Sequence, residues 1–221
     1  VLELYNVPAD SAVLSVLTSL AAERGYGVAR QHEDVCPVIP LPDTWDAYLS
    51  SLDKKQRHEI RRKLRRARRE ARVHWRVIGP QDDLETAMTV FIALHQKSHP
   101  EKDEFMDETM QAFFRAVAQV MQEAGWLQLS FLEVNGQPAA SMLCFDYDDA
   151  IMVYNSGYDP YCYASLSPGI VCLAYCIQHA IALGRTRFDF LQGGEEYKYR
   201  LGGQDTEVLY LTIHRASGRG G

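Results

Sequence analysis

The dipeptide Asn135-Gly136 constrains this chain more than any other short feature. A two-residue type I′ turn needs positive φ at both central positions, and Asn-Gly meets that need, so the pair predicts a hairpin where alternating apolar residues flank it. Leu127, Leu129 and Phe131 alternate before it, and Ala139 to Tyr147 follows as the partner strand. Asp148-Asp149 then turns the chain into Ile151 to Tyr154. Three consecutive antiparallel strands follow from local chemistry alone.

Helices stand apart from this meander. Leu84, Ala87, Met88, Phe91, Leu94 and His95 have helical spacing, bounded by Pro100. Met106, Met110, Phe113, Phe114, Val117 and Met121 predict a second helix stopped by Gly125, with a polar loop over Ser98 to Phe105 between the two. Val73, Trp75 and Val77 form a strand closed by Gly79-Pro80, Gly169 to Leu183 is a helix apolar nearly all round, and Thr186 to Leu191 and Glu207 to His214 are strands. Glu195 to Arg200 is a short helix or loop. Upstream, Leu2 to Tyr5 is extended, Asp10 or Ser11 caps a helix through Leu20, and Tyr26 to Ala29 and Val35 to Leu41 are extended, the latter an edge because of its prolines. Helices segregated from a run of antiparallel strands indicate an α+β layer fold.

The 221 residues make one large domain or one domain plus part of another, and 47% apolar residues exclude general disorder. The longest apolar run, Gly169 to Ile177, is under half the ~20 residues that cross a bilayer. No secretory signal is visible, and the chain begins at Val1, as a fragment of a longer protein would. Cys36, Cys144, Cys162, Cys172 and Cys176 are an odd set in apolar stretches, which predicts a reducing compartment and a cytoplasmic location. Charge is divided sharply. Lys54 to Arg72 holds 11 of the 23 basic residues and two of the 29 acids, so it carries +9; the remainder, with 12 bases and 27 acids, carries −15. Asp53 can cap this basic helix with Gln56 at the third position, and Ile60, Leu64, Ala67 and Ala71 form a thin apolar stripe along it. Such a rod is a local device for meeting an anion: tRNA, an anionic membrane surface or an acidic partner.

The string from Ile151 to Gly169 carries the most chemistry. A strand ends at Asn155-Ser156-Gly157, a Tyr-rich loop follows, and Ser165-Leu166-Ser167-Pro168-Gly169 opens the apolar helix. Ser167 reads as an N-cap, Pro168 as the first helical residue, and Gly169 leaves the amides unshielded. A helix start of this kind binds phosphate or pyrophosphate.

The element order from 73 to 214 resembles the GNAT acyltransferase superfamily. The strings Trp45…Tyr48-Leu49, the RRKLRR helix, Tyr154-Asn155-Ser156-Gly157-Tyr158, Leu166-Ser167-Pro168-Gly169, Phe188-Asp189-Phe190 and Tyr197-Lys198-Tyr199-Arg200 are similar to its Fem-type and CelD-like branch. The resemblance implies a mixed, mostly antiparallel sheet whose fourth and fifth strands, here Ile151–Ser156 and Thr186–Leu191, splay to admit acyl-CoA. It also implies that residues 1–42 are the end of a preceding GNAT-like half, 43–72 a basic helical segment, 73–215 the acyltransferase domain and 216–221 a loose tail. The Arg/Gln-x-x-Gly-x-Gly/Ala loop of mainstream members is absent, and Ser165 to Gly169 stands in its place.

Carried onto this chain, the resemblance places the acyl-pantetheine arm at Tyr154, Asn155, Ser156 and Gly157, and the pyrophosphate at Ser165, Ser167 and Gly169. Acyl transfer to an amine needs a base for the ammonium proton, and an acid for the thiolate is useful. Glu195 is the expected base, with Asp189 as the other carboxylate beside the cleft; Tyr199 or Tyr158 is the acid, and Lys198 and Arg200 hold an anionic group. The reaction expected is acetyl or other acyl transfer from acyl-CoA to an amine of a sugar, amino acid or cell-envelope precursor. Two alternatives stay open: aminoacyl transfer from tRNA, and a non-catalytic module whose working surface is Lys54 to Arg72. No metal is expected. His95 and His99 lack the glutamate of a zincin motif, and Cys172, Cys176 and His179 lie on a helix apolar enough to be core.

Overall fold

A computed structural model describes residues 1–79 and 81–215. Pro80 and the tail expected over 216–221 lie outside the described residues. The chain divides into two compact units, one of residues 1–38 with 190 onward and the other of residues 39–189.

In the first unit, β1 (Leu2–Pro8) and β2 (Tyr26–Pro40) both pair antiparallel with β8 (Gln204–Arg215). The N-terminal segment is thus built around β8. α1 (Ala12–Glu23) is capped by Ser11, whose side chain accepts from the Val13 amide, and packs Leu14 against Val7 and Leu211. The two extended pieces expected before Pro42 are one strand. Pro37 sits inside it, keeping its carbonyl in use by accepting from the Phe190 amide at 3.0 Å. α8 (Glu196–Arg200) also lies here.

The second unit holds five strands in the order β7-β6-β5-β4-β3. These are β3 (Val73–Val77), β4 (Leu127–Val134), β5 (Gln137–Tyr147), β6 (Ala150–Tyr158) and β7 (Arg187–Asp189). All neighbours are antiparallel except β6 and β7, which run parallel. The hairpin turns behave as their chemistry requires, with φ near +50° at Asn135, Asp148 and Asp149. One face of the sheet is covered by α4 (Leu84–Ser98) and α6 (Glu108–Glu123), whose Phe91, Ile92 and Phe114 meet Leu129, Phe131 and Leu143. The other face meets α7 (Pro168–Ala182), where Ser130 of β4 lies 3.3 Å from Cys176.

Two helices precede the five-stranded sheet of the second unit. α2 (Trp45–Ser51) is capped by Thr44, and α3 (Lys54–Glu70) by Asp53, which accepts from the Lys55 and Gln56 amides. The apolar stripe of α3 buries Ile60, Leu64 and Ala67, while Ala71 ends the helix. The loop expected between the two sheet-covering helices contains a helix of its own, α5 (Pro100–Phe105), and Met106 lies outside α6. Six residues of mainly charged character carry no apolar period, so only Pro100 at the start hinted at it.

Candidate active site

Strands β6 and β7 pair only over Ala150–Met152 and Arg187–Asp189. Beyond Met152, β6 runs on to Tyr158 with β5 alone beside it, which is the splayed arrangement of the expected fourth and fifth strands. The register against β5 shifts between Leu143–Asn155 and Cys144–Val153, so Tyr154 is the extra residue of a β-bulge. A bulge is defined against the neighbouring strand and could not be read from β6 alone. Tyr154 packs against Phe114 and Phe145, and burial raises its phenol pKa.

The residues after the bulge are held from the α4–α5 side. Lys102 Nζ donates to the Ser156 carbonyl at 2.8 Å, and Asn155 accepts from the Ser156 amide while also bonding His95. Gly157 lies flush against α4: a Cβ there would stand 2.3 Å from the His95 nitrogen. Its lack of a side chain is what lets β6 reach the helix. His95 is 1% exposed among Phe91, Phe105 and Phe114, and its Nδ1 has no hydrogen-bond partner among the described residues. Burial, helped by the Lys102 charge, holds its pKa down to about 4.

Past Tyr158 the loop is tied at both ends. Asp159 accepts from the Tyr161 and Cys162 amides and pairs with Lys97 at 3.2 Å. The Cys162 amide above all, with that of Tyr161 and the Lys97 ammonium, lowers the Asp159 pKa. A single 3₁₀ turn over Ala164–Leu166 leads into α7. Here the structure corrects the sequence reading of Ser167. It is not a side-chain cap: φ 54° and ψ 57° place it in the left-handed region, and its hydroxyl bonds no helix amide. The preceding turn forces this geometry, and the hydroxyl instead accepts from Lys63 Nζ of α3 at 3.3 Å. Pro168 has no N–H, and the Val171 amide is taken by the Ser167 carbonyl, so Gly169 and Ile170 present the free amides of the helix start.

The polar groups of this start lie close together. Two amides, one hydroxyl and one ammonium converge on it, with the dipole of a 15-residue helix behind them. Glu59 stands 3.7 Å from the same Lys63. A Cβ on Gly169 would be 3.6 Å from the Tyr158 ring, an ordinary contact, so Tyr158 borders the same opening. Ser165 is exposed in the turn before it. The sequence thus brought Tyr158, Ser167 and Gly169 together, but it missed Lys63, which lies 104 residues from its partner.

The remaining expected site residues divide between the units. Asp189 ends β7 in the second unit, opposite Met152. In the first unit Lys198 is 3% exposed, and its Nζ donates to the carbonyls of Leu191, Gln192 and Gly193 and pairs with Glu195 at 2.8 Å. That ammonium ties the 191–195 loop together through four oxygen partners. Arg200 is likewise engaged, with Glu196. Tyr199 donates to Asp205 at 2.7 Å, a bond that raises its pKa. Among the described residues no three His, Cys, Asp or Glu side chains form a metal site, and all five cysteines are free thiols. None of the described helices is long and apolar enough to cross a membrane.

Comparison with known proteins agrees with this geometry. A family model described as an acetyltransferase (GNAT) domain matches residues 54–199. The chain belongs to that family and is an acyltransferase. No curated protein matches it. Among solved structures, FemX shares 12% identity at a TM-score of 0.70, covering 97% of this chain and 72% of that one. A conserved protein of unknown function from Bacteroides thetaiotaomicron VPI-5482 shares 15% at 0.65, covering 96% and 69%. L-PGS from Bacillus licheniformis shares 12% at 0.63, covering 98% and 68%. At such identities the likeness is one of fold.

Proposed function

We propose that this chain is an N-acyltransferase of the Fem-type and CelD-like branch, moving an acetyl or other acyl group from acyl-CoA to an amine. The observation that carries this is the start of α7, where Ser167 is turned away from capping and Lys63 is drawn in from α3. The donor supplies a thioester carbonyl already activated for attack. The chain's own contribution begins with the pyrophosphate: the Gly169 and Ile170 amides, the Ser167 hydroxyl and Lys63 hold it, and Tyr158 borders the opening. The free edge of β6 after the Tyr154 bulge offers backbone groups to an extended pantetheine arm.

The base takes a proton from the ammonium, the neutral amine attacks the carbonyl carbon, and the C–S bond breaks as CoA leaves as a thiolate that takes up a proton. Glu195, its carboxylate positioned by Lys198, is the proposed base; Asp189 takes the role if Glu195→Gln keeps its turnover. The acceptor is an amine of a sugar, an amino acid or a cell-envelope precursor, handled in the cytoplasm. Titration calorimetry with acetyl-CoA tests the donor assignment. Wild type should bind, and Gly169→Glu should weaken binding by about tenfold or more by setting a carboxylate against the pyrophosphate. No heat with wild type, together with protection by tRNA, moves the reading to aminoacyl transfer. Unchanged affinity in the variant removes the α7 start from the site.

A further inference from the structure

Helix α3 does more than deliver Lys63. Lys54, His58, Arg61, Arg65 and Arg68 are all exposed, and their spacing of four, three, four and three places them in one line along the helix. Lys55, Arg62 and Arg69, also exposed, make a second row beside it. The buried residues Ile60, Leu64 and Ala67 occupy the opposite side. Cationic side chains therefore wrap about half the circumference of a rod roughly 25 Å long.

The way the charges are paired is informative. Glu59 is engaged by Arg62 and Lys63, and Glu70 by Arg66 and Arg69. Both acids of the helix are thus taken up on its flanks. On the crest, Lys54 and Arg65 have no acid within ion-pair distance among the described residues, and Arg61 reaches only Asp46, at 4.0 Å with both side chains exposed. Arg68 is held outward by Tyr175, its Nε 2.9 Å from the hydroxyl and its guanidinium 5.4 Å from the ring centre. Lys54, Arg65 and Arg68 are thus crest cations without an acid partner among the described residues, and Tyr175 fixes Arg68.

We propose that α3 is a docking surface for double-helical nucleic acid, meeting phosphates of both strands along one groove. Two features favour a duplex over a membrane. A convex half-cylinder of charge can face phosphates on two sides at once, whereas a plane of headgroups touches only the crest. The helix exposes no apolar side chain for insertion, since its apolar residues face the protein. The rest of the chain carries −15, so attraction for a polyanion is concentrated on α3. Arginine, eight of the eleven cations from Lys54 to Arg72, suits bidentate phosphate contact. The inference is independent of the donor assignment.

Fluorescence anisotropy of the whole chain with labelled duplex DNA and duplex RNA of about 20 base pairs, from about 50 to 300 mM salt, tests it. If about five phosphates are neutralised, log K should fall against log salt with a slope near −4 to −4.5. Combining Lys54→Gln, Arg61→Gln and Arg65→Gln should flatten the slope by about 2 to 3 and weaken low-salt binding at least ~10-fold. Arg61→Lys with Arg65→Lys should keep the slope. The relative strength of the DNA and RNA arms identifies the duplex. Absence of duplex binding at low salt, an unchanged slope in the Gln variant, single strands binding as tightly as duplex, or binding to anionic vesicles without binding to duplex would each overturn the proposal. Acetyl-CoA calorimetry on the Gln variant reports separately on the donor site.

Discussion

Two glycines flank the opening, and they do opposite things. Gly157, at the end of β6, is pressed against the backbone of α4, so a side chain there has nowhere to go. Gly169, at the start of α7, faces the Tyr158 ring across an ordinary contact distance. At Gly157 the site is closed and packed, and that glycine serves stability. At Gly169 it is open, and the polar groups beside it are the ones proposed to hold the donor. Both glycines occur in strings that the sequence tied to the donor, and only the contacts separate their roles.

The largest expected effect lies at the closed end. Gly157→Ala should destabilise the fold by about 4 kcal/mol or more, because backbone rather than a flexible side chain must move. For a chain of this length that lowers the unfolding midpoint by roughly 10 °C. Gly169→Ala should stay within about 1 kcal/mol of wild type. Differential scanning calorimetry of the pair checks this, and equal losses would erase the distinction between the two ends.

His95 sharpens the same contrast through pH. Its folded pKa of about 4 is depressed by burial, so the unfolded chain takes up a proton first as pH falls below the ordinary histidine range. The neutral side chain's contribution is therefore fully present above about pH 6.5 and is lost as pH drops towards 4, on the order of 3 kcal/mol in all. Urea unfolding between about pH 7 and 4.5 should show that decline, and His95→Gln should flatten it. An identical decline in the variant would place the titration elsewhere.

The smallest effect is at the open end. Removing a serine that caps a helix costs about 1 kcal/mol, but the Ser167 side chain caps nothing. Ser167→Ala should leave stability within about 0.5 kcal/mol, while Asp53→Ala, which strips two amide bonds from the start of α3, should cost about 1 kcal/mol. Thermal melts of both variants make the comparison, and a full cap-sized loss at Ser167 would contradict the geometry of the α7 start.

What was legible in the sequence was local. Asn135-Gly136 and Asp148-Asp149 specify their turns through their own backbone preferences, and Asp53 caps residues two and three positions away. The apolar spacing of α4, α6 and α7 gave the two covered faces of the sheet. What was hidden depends on partners distant in the chain. The Tyr154 bulge exists only against β5, and Lys63 gains meaning only beside Ser167. Lys198 reads as a surface cation until its four oxygen partners are seen. Ser167 was misleading in a different way, since Ser-Pro-Gly is a good start for a helix whatever the preceding turn does to the serine's φ.

A crystal structure of this chain with acetyl-CoA is the most direct test of the central claim. The account predicts pyrophosphate density at the Gly169 and Ile170 amides, with Lys63 Nζ moved from Glu59 towards a phosphate oxygen. Acetyl-CoA bound with its pyrophosphate away from the α7 start, and Lys63 still beside Ser167 and Glu59, would contradict it.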